Sequence, residues 1–220
     1  SDLLMRANLT IFIVSVTISK LARYVVLMVT AGTLFSCSSA KNDNANKITV
    51  SIEPPRYLTE QIVGDRFEVV TMVPKGSSPE TYEPTARQMA DLSESILYIK
   101  VGELGFERTW MPRLTSNAPH ITVVNSSEGI TSHIGDDPHS WMSARNAIIM
   151  AHNIYEAVKR IDVKDSVFFR QRLDSLCSVI HATDKYIRQT TAQAHCKSFI
   201  IYHPALTYFA SDYGLEQLAL

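Results

Sequence analysis

From Lys164 to His195 the chain runs for thirty-two residues without a glycine or a proline, a stretch that would reach roughly 48 Å as helix. Phe169, Leu173, Leu176, Ile180, Thr183 and Ile187 step along it by fours and threes, the apolar stripe of one helix face. A rod of that length cannot be buried end to end in one small core, so whatever surrounds it must pack along a strut. On both sides the chain alternates short β-branched runs with helical patterns, which argues for open, mostly parallel sheets flanked by helices. The expected class is α/β: two lobes of mostly parallel sheet joined by one long strut helix.

Ahead of the strut, Lys47-Ile48-Thr49-Val50-Ser51-Ile52 reads as a first strand, and Pro54-Pro55 ends it. A helix follows with Tyr57, Leu58, Gln61 and Ile62 on one face, and Gly64 is its stop. Phe67 to Val73 is a second strand and Ser95 to Val101 a third, dense enough in apolar residues to be covered on both faces. Thr85-Ala86-Arg87-Gln88 between them is a capping box. A helix from near Glu103 to Leu114 and a strand at Ile121-Thr122-Val123-Val124 continue the alternation. Ser143 then caps a helix whose stripe includes Ala151, Ile154 and Val158.

Past the strut, Phe199-Ile200-Ile201-Tyr202 is a strand, a short helix reaches Gly214, and Gln217 to Leu220 lies in another strand. One strand, one helix and part of a strand cannot close a core, so the second lobe is expected to be truncated. The domain boundaries expected are 47–161 for an N-terminal α/β lobe, 164–196 for the linking helix and 198–220 for an incomplete C-terminal lobe.

The first 46 residues are of another kind. Lys20 and Arg23 precede the apolar run Tyr24 to Gly32, then Thr33-Leu34-Phe35-Ser36-Cys37. Charge, a short apolar core and a small residue before the cut describe an export signal, too short for a spanning helix of ~20 residues. Leu34-Phe35-Ser36-Cys37 resembles a bacterial lipobox, so residues 1–37 are expected to be a signal peptide with Cys37 lipidated. A second apolar stretch, Ile11 to Ile18, lies upstream of Lys20, and the first residue is not Met; the first dozen or so residues are expected to be upstream sequence, a two-part anchor being the alternative. Residues 38–46, Ser38 to Asn46, carry no large apolar side chain and read as a flexible tether.

A net charge of −1 with no basic stripe gives no footprint for nucleic acid. Cys177 and Cys196, on one continuous helix, would stand roughly 28 Å apart, beyond the ~7 Å reach of a disulfide. No cysteine spacing fits a zinc finger.

Three loops after predicted strands each pair a proline with one good metal-ligand side chain. They are Gly76-Ser77-Ser78-Pro79-Glu80-Thr81-Tyr82, Asp137-Pro138-His139-Ser140-Trp141 and Tyr202-His203-Pro204-Ala205. That arrangement suits a divalent cation held between sheet edges. The same segments resemble the metal-binding lipoproteins of cluster A-I (periplasmic solute-binding protein family 9), which deliver zinc or manganese to ABC importers. The likeness covers about residues 47–220.

The resemblance implies metal ligands at His139, His203 and Glu80 (Glu83 or a water in place of Glu80 being the alternative), a fourth carboxylate ligand beyond Leu220, and capture between two lobes with delivery to an ABC permease. The exported protein would be periplasmic or on the cell surface, lipid-anchored to a membrane and monomeric, and not an enzyme. Position 80 is the departure: the family places His directly after that proline, and this chain has Glu. Carboxylate oxygen binds Zn²⁺ at ~2.0–2.2 Å, so Glu80 can still ligate; raw affinity favours Zn²⁺ over Mn²⁺, which makes Zn²⁺ the expected cargo and Mn²⁺ the alternative for a mixed nitrogen and oxygen site. The stretch Asn125 to Asp137 has only His133 where many zinc-specific members carry a His-rich loop.

A metal-dependent hydrolase would need three protein ligands, an open position and a base; Glu83 or Asp137 could serve as base, but no His-Glu-x-x-His occurs. A binder of a metal chelate would need an apolar or basic cleft and no convergent His pair. Some relatives are adhesins, a role the sequence leaves open. His120, His152, His181 and His195 sit in no motif, and the last three, on expected helices, are read as solvated or internally satisfied.

Overall fold

Strands β1 (Lys47–Val50), β2 (Glu68–Thr71), β3 (Ser95–Lys100) and β4 (Thr122–Asn125) form one sheet in the order β2-β1-β3-β4. The structure is a computed structural model that describes residues 47–102 and 104–220; the expected signal, lipidated Cys37 and tether lie outside the described residues. Every pairing in this sheet is parallel. Central β3 has Leu97, Tyr98 and Ile99 fully buried, as a strand covered by helices on both faces must be. Burying each such side chain contributes about 1.5–3 kcal/mol relative to leaving it in water.

The helices begin and end where local chemistry directs. Helix α1 (Glu53–Val63) opens on Pro54-Pro55, whose missing N–H groups are orphans at a helix start, and stops at Gly64 with φ 60°. Helix α2 (Ala86–Leu92) carries the expected capping box, Thr85 and Gln88 bonding each other's backbone. Helix α3 (Gly105–Asn117) follows β3, and α4 (Ala144–Ile161) is capped by Ser143, which accepts from Asn146 N. Met150, Ala151, Ile154 and Val158 of α4 are fully buried.

Helix α5 (Ser166–Gln193) has 28 residues, about 42 Å, shorter than expected at both ends. Asp162 Oδ1 accepts from the amides of Lys164 and Asp165, forming a turn that delays the helix start. At the other end Ala194 is already extended. Phe169, Leu173 and Leu176 are buried where α5 packs on α1 and α4, while Thr183 in the later half is exposed. Arg172 fastens the packed half by donating to Gln61 O at 2.7 Å.

A second, two-stranded parallel sheet joins β5 (Ser198–Ile201) to β6 (Glu216–Ala219) through helix α6 (Thr207–Tyr213). Gly214, left-handed at φ 64°, ends that helix. Ile200 and Leu218 stand 67% and 45% exposed on the small sheet. Tyr213 Oη donates to Asp184 and Arg188 donates to Asp212 O, so α6 is held by the later half of α5.

In the larger sheet the strand order reverses between β1 and β3. Ligands of open α/β sheets bind beyond the strands' carboxyl ends at such a reversal. The loops bearing Glu80 and His139 follow β2 and β4 and so leave that same edge.

Candidate metal centre

His139 is held on all sides by its own loop. Asp137 Oδ1 accepts from His139 N at 2.9 Å and lies 2.6 Å from ring Nδ1. A 3-10 turn, Ser140–Met142, follows directly, and the expected helix begins after Ser143. Asn146, buried in α4, closes that turn by donating to Ser140 O at 3.1 Å. The Trp141 ring meets the imidazole edge-on at 5.1 Å. With Nδ1–H given to the carboxylate, His139 presents the Nε2 lone pair outward, the arrangement of a metal-ligating histidine whose tautomer is set by its outer partner.

His203 approaches from the loop after β5. Its Nε2 stands 3.3 Å from His139 Nε2, with the rings 5.1 Å apart and inclined by 78°. Two metal–nitrogen bonds of ~2.0–2.1 Å at a tetrahedral angle place their nitrogens roughly 3.3–3.4 Å apart. The imidazole pair therefore has the spacing of neighbouring zinc donors. The two are unequal: the His139 side chain is 15% exposed, whereas His203 is open to solvent.

The His203 loop is kept in place through α6. Tyr208 Oη accepts from Ile134 N at 3.2 Å and donates to Asp137 O at 3.3 Å, so one phenol spans both loops. Arg145 donates to Asp212 at 3.2 Å. Burial alone would push the Asp137 carboxyl up; the Thr207 hydroxyl and the two His139 N–H groups outweigh it, and the group sits below its ordinary range. Asp137 Oδ2 is buried without a hydrogen bond of ordinary geometry. Asp137 also lines a polar cavity of about 230 Å³ together with Ser127, Glu128, His133 and Tyr208.

Glu80 does not stand with the imidazoles. Its Oε2 accepts from Gly105 N, the first residue of α3, at 3.1 Å. Among the described residues no three His, Cys, Asp or Glu side chains are grouped closely enough to hold a metal ion. Cys177 and Cys196 are free thiols. His120, His152, His181 and His195 are exposed, in keeping with the reading of solvated surface residues. Asp137, named in the sequence only as a hydrolase's base, instead partners the His139 ring, and Tyr208 joins it as a component that was not singled out. The part Asp137 plays was visible in its place two residues before a histidine in a Pro-His loop; Tyr208 lies in the segment just after Tyr202-His203-Pro204-Ala205, but its contacts span more than 70 positions and no local pattern announces them.

A parallel sheet with this reversal is the framework on which open α/β proteins carry ligands among their loops, and here two loops bring an imidazole pair together. Residues 48–220 match the family described as zinc-uptake complex component A, periplasmic (ZnuA), and the chain belongs to that family, which consists of transport components and not enzymes. It is 26% identical over 203 residues to the high-affinity zinc uptake system protein ZnuA of Bacillus subtilis, covering 83% of this chain and 63% of that protein. It is 27% identical over 216 residues to the manganese ABC transporter substrate-binding lipoprotein PsaA of Streptococcus mitis, covering 89% of this chain and 70% of that one. A crystal structure of ZnuA superposes with a TM-score of 0.76 at 32% identity, over 80% of this chain and 70% of the other. The chain thus spans somewhat under two thirds of the Bacillus subtilis relative's length.

Proposed function

We propose that this chain is the metal-capturing part of a substrate-binding protein that delivers a divalent cation to an ABC permease. The observation that carries the reading is the His139–His203 pair, nitrogen to nitrogen at 3.3 Å from two separate sheets. His139 is the fixed donor and exposed His203 the one that meets the ion from the other side. Glu80 is the third donor, and a fourth, carboxylate ligand is what the family resemblance implies. Residues 47–161 and 198–220 are the two lobes, with 164–196 joining them. Export through residues 1–37 and a lipid anchor at Cys37 would keep the protein, as a monomer, beside its permease.

Zn²⁺ is the cargo the geometry favours, because the imidazole spacing fits a tetrahedral ion. Mn²⁺ is the second reading, supported by the carboxylate at position 80 and the likeness to PsaA. The test is a competition titration of the demetallated protein with both ions. We expect one-to-one Zn²⁺ binding that Mn²⁺ fails to displace, and loss of most affinity in His139→Ala and His203→Ala with unchanged circular dichroism. A double variant that binds as wild type would remove the site.

A further inference from the structure

Helix α3 opens on Leu104, a side chain with no oxygen, and makes no capping bond of its own. The first amides of a helix have no partners inside it, and here the loop after β2 supplies them. Pro79 O accepts from Phe106 N at 2.9 Å, and Glu80 Oε2 from Gly105 N at 3.1 Å. A carboxylate there also meets the positive end of the helix dipole. The fit depends on glycine: a Cβ built on Gly105 would lie 2.6 Å from Glu80 Oε2 and 2.8 Å from Glu80 O. The rings of Tyr82 and Phe106, 6.0 Å apart, moor the same loop. Below it the β3–α3 turn is itself tied, with Glu107 accepting from Val101 N at 2.7 Å and Gly102 N at 2.5 Å.

We propose that Glu80 is a carboxylate with two positions: without metal it caps α3, and on capture it leaves Gly105 for the cation. The inference rests on the reading of this site as a metal centre. Metal occupancy is then registered at the start of α3, whose first amide passes to water in the loaded protein.

The experiment follows the Gly105 amide of the ¹⁵N-labelled full chain by chemical shift and hydrogen exchange while Zn²⁺ is added, with calorimetric Zn²⁺ titration of wild type, Glu80→Gln and Glu80→Ala. We expect the Gly105 resonance to move and its exchange to quicken several-fold on loading. The Gln amide oxygen still accepts from Gly105 but is a poorer ligand. Glu80→Gln should therefore keep a near-wild-type metal-free melting temperature and bind Zn²⁺ at least about tenfold more weakly. Glu80→Ala should lose both, as removal of a helix cap does. Wild type that binds Zn²⁺ with Gly105 undisturbed overturns the proposal. So does Glu80→Gln binding like wild type, which would leave Glu80 a cap alone, or a metal-free Glu80→Ala melting like wild type, which would leave it a ligand alone. Wild type that takes up no Zn²⁺ overturns this inference and the metal-centre reading together; Zn²⁺ uptake abolished by His139→Ala, with Gly105 silent, overturns only this one.

Discussion

Replacing Asp137 tests whether an acid that touches no metal sets the quality of the site. Its Oδ1 accepts both the backbone and ring N–H of His139, at 2.9 and 2.6 Å. In Asp137→Asn the side-chain oxygen can keep both bonds but loses its charge; in Asp137→Ala both go and the ring is free to turn. Removing the outer partner of a ligating histidine typically lowers metal affinity 10–100-fold, about 1.4–2.8 kcal/mol at 1.4 kcal/mol per decade. Asp137→Asn is expected near the lower figure and Asp137→Ala near the upper. The assay is Zn²⁺ competition against a chromophoric chelator, with His139→Ala as the floor. The carboxyl lies below its ordinary range when folded, since hydrogen bonding outweighs burial. Its contribution to stability is therefore present above the ordinary carboxylate range and disappears as pH falls through the lowered folded value. Asp137→Asn should flatten that acid limb of unfolding. Two variants with wild-type affinity, or an unaltered acid limb, would show that Asp137 neither orients His139 nor carries the charge assigned to it.

Tyr208→Phe removes the hydroxyl shared by Ile134 N and Asp137 O and is expected to cost about 1–2 kcal/mol. At roughly 2–4 °C per kcal/mol for a chain of this size, a thermal melt that moves less than a degree would contradict the bridging role. Glu107→Gln places an amide NH₂ against one of two backbone donors, Val101 N or Gly102 N, at a cost of about 1–3 kcal/mol. Burial raises the Glu107 carboxyl above its ordinary value, so wild-type stability from this group is full in acid and declines as pH rises through the raised value. Urea midpoints across that window should fall in wild type and stay level in the Gln variant; parallel curves would refute the assignment.

Much of the architecture could be read from local patterns. The capping box at Thr85 and Gln88, the Ser143 cap and the Gly214 stop each mark a backbone state that the nearest few residues determine. The fully buried middle of β3 followed from its unbroken apolar run. The excess length assigned to the strut arose because helix propensity continues through Lys164 and Asp165, while an Asp162 side chain captures their amides. His139 and His203 were legible as individual residues in Pro-bearing loops; their 3.3 Å approach was not, since it depends on how two sheets sit across α5 and α6. Glu80 was legible as a candidate donor from its place after Pro79. Its bond to Gly105 was hidden because it depends on the absence of a side chain twenty-five positions away.

The unequal burial of α5 means that one continuous helix carries two stabilities. Around Phe169, Leu173 and Leu176 it opens only with the core beneath it, whereas past Ile180 its amides are guarded mainly by the contacts to Asp184 and Arg188. Hydrogen exchange read amide by amide should descend along this helix from global to local unfolding. The strut would then act less as a rigid beam than as a rod anchored at its base, with its loosest turns in the half that meets α6.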